Sequence, residues 1–131
     1  MTIERRNPPG LHPPPGYAHV TTVTARRLVF LAGQCPLAED GAVPDGLGAQ
    51  VDQVVANTLL ALAAAEATPD DVVRTVIYVA TTDPADLSSV WDRLAESALG
   101  RAFSTASTLL GVTCLGYSGQ LVELDVTAVP A

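Results

Sequence analysis

Residues 103–108 read Phe-Ser-Thr-Ala-Ser-Thr, and four of the six carry a hydroxyl. On a strand, alternate residues share a face, so Phe103, Thr105 and Ser107 fall on one side and Ser104, Ala106 and Thr108 on the other. Hydroxyls lining a pocket hydrogen-bond a polar ligand but cannot neutralise an anion. Thr and Phe are equally at home in an ordinary strand. Further along, in Leu121–Val129, Val122, Leu124, Val126 and Ala128 alternate with Glu123, Asp125 and Thr127. Glu123 therefore faces away from the core. It is either a carboxylate that activates water in a partly buried cleft or part of a solvated sheet face. Tyr17 either donates a hydrogen bond to a ligand or packs its ring and wets its hydroxyl.

The remaining reactive residue types are sparse. Cys114 sits in a glycine-rich turn with no neighbouring base or cation to make a thiolate, and Cys35 reads as a small buried hydrophobe. Two cysteines without a secretory context are expected to be free thiols. His12 and His19 lie near the N-terminus with no HExxH or CxxC spacing, so no metal site is expected, and His19 reads as structural. Seven basic residues against fourteen acidic give a net charge of −7, and the only basic doublets are Arg5-Arg6 and Arg26-Arg27. That distribution argues against nucleic-acid binding, which needs a concentrated basic patch. No uninterrupted apolar run approaches the roughly 20 residues of a bilayer span. The opening Met-Thr-Ile-Glu-Arg-Arg has no apolar region behind its charges, so no signal peptide and no membrane association are expected, and a cytoplasmic location is the expectation.

The chain of 131 residues is expected to form one domain, with residues 1–16 as an extended Pro-rich lead-in. Strands are predicted at 17–24 and 28–32. A first helix spans 49–67, where Val51, Val54, Val55, Thr58 and Leu62 recur at helical spacing. Thr68-Pro69-Asp70-Asp71 is a short capped turn before a strand over 74–81. Asp83-Pro84 starts a second helix whose apolar stripe, Leu87, Val90, Trp91, Leu94 and Ala98, ends at Gly100. Strands follow at 103–112 and 121–129. The order β-β-α-β-α-β-β predicts an α+β domain, a mixed sheet with both helices on one face. With 48% hydrophobic residues and a mean hydropathy of +0.30, the other face is expected to be covered by another subunit.

Several segments, taken in order, resemble the reactive intermediate deaminase (Rid; YjgF/YER057c/UK114) superfamily. They are PPPGYAHV (13–20), LVFLAGQCP (28–36), AQVDQVVANTLLAL (49–62), TPDDVVRTVIYVATTDPADLSSVW (68–91) and LVELDVTAV (121–129). The resemblance implies a chorismate-mutase-like fold and a homotrimer built round a central barrel, with small metabolites bound in clefts between subunits. It also implies cofactor-free hydrolysis of enamines and imines to ketoacids and ammonia. It marks Tyr17, Gly33, Gln34 and Glu123 as retained positions, with Glu123 associated with activating water. It aligns a strand Pro-Ala-Arg-Ser motif, whose arginine grips a carboxylate, with Arg101-Ala102-Phe103-Ser104. Phe103 then stands at the arginine position, Thr105 and Ser107 share its cleft-facing side, and Arg101 lies two residues earlier. Ala32 and Trp91 stand where the family has serine and asparagine, although Trp91 also fits core packing. Three readings follow. The first is a small-metabolite pocket of altered specificity, with Glu123 and Tyr17 catalytic, Gly33 and Gln34 orienting the ligand, and Phe103, Thr105 and Trp91 lining it. The second is an enamine/imine deaminase using Arg101. The third is a non-catalytic trimer binding a metabolite or a partner.

Overall fold

The computed structural model describes residues 1–131. Strand β1 is Thr2–Arg6, β2 Val20–Thr24, β3 Val29–Phe30, β4 Val72–Ala80, β5 Ala106–Val112 and β6 Val122–Ala128; helices α1 and α2 are Leu47–Ala64 and Pro84–Ala95. The main sheet has the order β3-β6-β4-β5. Strand β6 is antiparallel to both β3 and β4, while β4 and β5 are parallel. A parallel pair cannot be closed by a hairpin, so α2 makes the crossover from β4 to β5. Helix α1 connects β3 to β4, with β6 inserted between those two strands.

The predicted periodicities locate the core. Val122, Leu124, Val126 and Ala128 of β6 are buried, and Glu123, Asp125 and Thr127 are half-buried on the other side. Val51, Val54, Val55, Thr58 and Leu62 are the buried stripe of α1. They join Ile77 and Val79 of β4 and Val90 and Leu94 of α2 in one cluster, so both helices share one face of the sheet. By length and composition α1 is apolar enough to cross a bilayer, but this stripe packs it into the core instead. Gln50 fixes its N-terminal end: its Nε2 donates to the carbonyls of Pro44 (3.0 Å) and Gly119 (2.9 Å), and its Oε1 accepts from the Leu121 amide (2.7 Å). At the other helix, the Asp83 side chain caps the first turn through the Ala85 amide, with Pro84 at the first helical position.

Two elements differ from expectation. The lead-in contains strand β1, which pairs antiparallel with β2 from Thr2↔Thr24 to Arg6↔Val20. Its charged sequence carries no apolar alternation. It is held by the ladder and by Arg5, whose Nη2 donates to the carbonyls of Val72 (2.9 Å) and Asp70 (3.2 Å). The fifth strand starts at Ala106 rather than Phe103, because Gly100–Phe103 form a 3₁₀ turn. The Phe103 ring is 2% exposed in the core and meets Trp91 edge-on at 5.9 Å. Its burial anchors the turn.

The sheet face away from the helices is left bare by the chain. Phe30 is 72% exposed there, opposite Thr127, and Tyr78 lies between Leu110 and Glu123. The burial of Phe103 has a direct consequence: Phe103→Ala is expected to cost roughly 3–5 kcal/mol of stability, read from the midpoint and slope of urea unfolding. A ligand-wall residue replaced in the same way would leave the midpoint nearly unchanged.

Candidate functional site

A cleft of about 430 Å³ opens between α2 and β5. The helix contributes Ser88, Trp91 and Asp92, which share one side by their spacing of three and four residues. The strand contributes Ser107 and Leu109, and Tyr17 closes the end nearest Pro15. Tyr17 is placed by its neighbour Ala18, whose amide donates to the Thr105 carbonyl at 3.1 Å, just before β5 begins. Its ring stands nearly perpendicular to that of Trp91, at 88° and 6.3 Å between centroids. Trp91 in turn rests on Phe103, so a line of aromatic contacts runs from the core to the cleft wall.

The Tyr17 hydroxyl makes a 2.7 Å hydrogen bond with His12 Nε2. The His12 carbonyl accepts from His19 Nε2 at 2.7 Å, which fixes a proton on that nitrogen of His19. The two imidazoles pack edge-on at 4.7 Å. His19 is thus a brace for the segment, and His12, which sequence reasoning considered only as a metal ligand, is the direct partner of Tyr17.

Glu123 belongs to a second place, on the sheet face away from the helices. Its Oε1 accepts from Cys35 Sγ (3.0 Å) and from Gln120 Nε2 (3.1 Å). Its Oε2 lies over Gly33, where an added Cβ would come within 2.5 Å. Only a residue without a side chain leaves room for the carboxylate. Gln34 exchanges backbone hydrogen bonds with Leu124 (2.7 and 3.1 Å), and its side-chain amide donates to the Ala32 carbonyl at 2.9 Å. That ties the Ala32–Cys35 segment to the edge of β6. Burial pushes the Cys35 thiol up to about 11, with the hydrogen bond to Glu123 and its charge adding to the effect. The thiol is therefore a donor that fixes the carboxylate, not a nucleophile at neutral pH.

The two groups of candidates do not meet within one chain. Tyr17 and Trp91 share the cleft on the helix side, at the β5 edge. Gly33, Gln34 and Glu123 lie around β6, and none of them lines that cleft. The other three expected residues fall elsewhere. Phe103 is in the core and forms no cleft wall. Thr105 is wholly buried, donating to the Val73 carbonyl (2.8 Å) and bonded to the Thr21 hydroxyl (2.6 Å), so it staples β2 to the sheet. Arg101 lies in the exposed 3₁₀ turn, paired with Asp70, and does not reach the cleft. Ser107 takes the strand position beside Tyr17. The alternation of residues 103–108 already put Ser107 on the side of Thr105. Ser88 and Asp92 were detectable from their spacing about Trp91, once that side of α2 was known to open onto β5.

No cluster of His, Cys, Asp or Glu has a metal-holding arrangement. Among comparisons with known proteins, the profile of the family described as Endoribonuclease L-PSP matches residues 11–130. The solved structure of YyfB from Yersinia pestis, a protein of unknown function of the conserved Rid family, is 32% identical, covering 98% of this chain and 99% of its own, with a TM-score of 0.86. YyfA from the same organism, also of the Rid family, is 29% identical with 98% of each chain covered and a TM-score of 0.68. Rv2704 from Mycobacterium tuberculosis, a member of the YjgF/YER057c/UK114 family, is 28% identical over 98% and 99% of the two chains, with a TM-score of 0.63. No curated protein sequence matches the chain.

The Cys35–Glu123 contact is testable by alkylation. At pH 8 a thiol raised by about two pKa units holds roughly a hundredfold less thiolate. Exposed Cys114 is therefore expected to react with iodoacetamide first. The Cys35 rate should keep rising with pH to about 11, and Glu123→Gln should move that rise to lower pH. Peptide mass spectrometry reads both sites.

Proposed function

The chain belongs to the Rid (YjgF/YER057c/UK114) superfamily, described also as the endoribonuclease L-PSP family, and on that premise we propose that it is a homotrimer whose inter-subunit clefts bind or hydrolyse a small metabolite, with specificity altered from enamine and imine deamination. The observation that carries this reading is the division of the candidate residues. An aromatic cleft with Tyr17 and Trp91 lies at one side of the sheet, and a clamped carboxylate, Glu123, at the other. On this reading each is half of a site, completed where the β5 edge of one copy, with its cleft, meets the bare sheet face of the next, with its Glu123. The exposed Phe30 and the half-buried Tyr78 and Leu110 supply the apolar surface for such a contact.

In hydrolysis, Glu123 Oε2 takes a proton from water as the water oxygen bonds to the imine carbon. That proton passes to the imine nitrogen to give a carbinolamine; the carbinol hydroxyl proton then passes to nitrogen through the same carboxylate as the carbon–nitrogen bond breaks and the carbonyl forms, and ammonia leaves. Oε1, already engaged by Cys35 and Gln120, holds the carboxylate plane during that transfer. Tyr17, hydrogen-bonded to His12, orients the substrate from the facing wall. Ser107 lines the cleft from β5, where its hydroxyl hydrogen-bonds a polar ligand but cannot neutralise a carboxylate. Arg101, paired with Asp70 on an exposed turn, does not line this cleft, which weighs against the deaminase reading that uses it. The family is also described as an endoribonuclease, but a net charge of −7 opposes binding a polyanion.

Light scattering at micromolar concentration is expected to give about three times 13.5 kDa; a monomer mass would remove the inter-subunit cleft. With imines generated in situ, carbonyl release is expected to fall by about 10²–10⁴-fold in Glu123→Gln, the usual worth of a general base. Equal rates in the two proteins would leave binding without catalysis.

A further inference from the structure

The chain has no lysine, so all seven of its basic residues are arginines, and none of them lines the cleft between α2 and β5. Arg5 is committed to backbone carbonyls at the start of β4, and Arg101 to Asp70. Arg93 follows Asp92 in α2, but its guanidinium is turned to Asp52 of α1, with bonds of 2.8 and 2.7 Å. The single charged group this chain contributes to the cleft wall is therefore Asp92, and its carboxylate has no ion-pair partner within the chain. Beside it stand two aromatic rings set at 88°, which form a corner. Aromatic faces carry negative potential and attract a cation, most strongly over indole. The Ser88 and Ser107 hydroxyls add acceptors for N–H groups.

We propose that this cleft takes a small organic cation, an ammonium or iminium group on an apolar frame that bears no carboxylate. The inference rests on the reading of the cleft as a small-molecule site and names the class of molecule it admits. A carboxylate entering here meets Asp92 and two aromatic rings, with no guanidinium of this chain lining the cleft to receive it. A protonated imine meets an anion, a corner of π surface and two hydroxyls. Leu109 and Pro15 give the apolar frame its contact surface.

Trp91 is the only tryptophan in the chain, so intrinsic fluorescence reports this cleft directly. The probes are three molecules of nearly one shape: isopentylammonium, isopentanol and isovalerate, titrated near neutral pH. Isopentylammonium is expected to saturate the Trp91 signal at about tenfold lower concentration than isovalerate, with isopentanol between them. Asp92→Asn, an exposed helix position that does not bear on folding, is expected to bring the ammonium and the carboxylate within about twofold of each other. Isovalerate binding as tightly as the ammonium, or a preference unchanged by Asp92→Asn, overturns the inference and leaves the small-molecule cleft standing. Silence from all three probes at tens of millimolar overturns both.

Discussion

The antiparallel pairing of β4 with β6 decides where every functional group falls. Ile77 lies opposite Leu124, and both are fully buried under the helices; one residue along, Tyr78 lies opposite Glu123 on the other face. Side chains alternate with a period of two, so a register slip of one residue would bring the carboxylate into the core and Leu124 out of it. The cost of burying an unpaired charge excludes that alternative. The same pairing fixes the second face of β4, whose parallel partner β5 carries Ser107 to the cleft. The position of Glu123 and that of the cleft thus descend from one ladder, on opposite sides of it.

The aromatic line Phe103–Trp91–Tyr17 couples the core to the surface. Phe103 is buried and cannot shift without opening a void, so Trp91 rests on a rigid support. Tyr17 is fixed from both sides, by the Trp91 ring and by His12. At the other place the rigidity is polar. Gln120 accepts from the Tyr117 amide and donates to both the Val122 carbonyl and Glu123, so backbone holds the residue that holds the carboxylate. Wall and carboxylate are each pre-set by contacts made within the chain.

Much of this was readable from residue order alone. The alternation over 122–128 placed Glu123 on its face, the stripe from Val51 to Leu62 placed α1, and Thr68-Pro69 and Asp83-Pro84 marked their turns because capping and proline act locally. What escaped depends on distant partners. Strand β1 has no apolar alternation and exists through its ladder with β2 and the grip of Arg5 on β4. Residues 100–103 are a 3₁₀ turn because Phe103 is drawn into a core whose shape no local propensity contains. Counting faces from a strand start at Phe103 puts Thr105 and Ser107 on one side, but only Ser107 lines the cleft, since the burial of Thr105 is set by Thr21 and Val73, far away in sequence. Nor does residue order reveal that Tyr17 and Glu123 stand on opposite sides of one sheet; only the strand order does.

The glutamate lying over Gly33 also constrains how this protein is able to diverge. A methyl group at position 33 would overlap the Glu123 carboxylate, whereas shortening the side chain at 123 removes the obstacle. The two positions therefore have an order of change. A lineage abandoning the carboxylate is free to fill the space above residue 33 afterwards, but one that fills it first forces the acid out of place. Once an alanine or serine has settled there, restoring a glutamate at 123 no longer restores its former geometry. Loss of this arrangement is an easy path and its recovery a hard one, a ratchet set by a single missing methyl group.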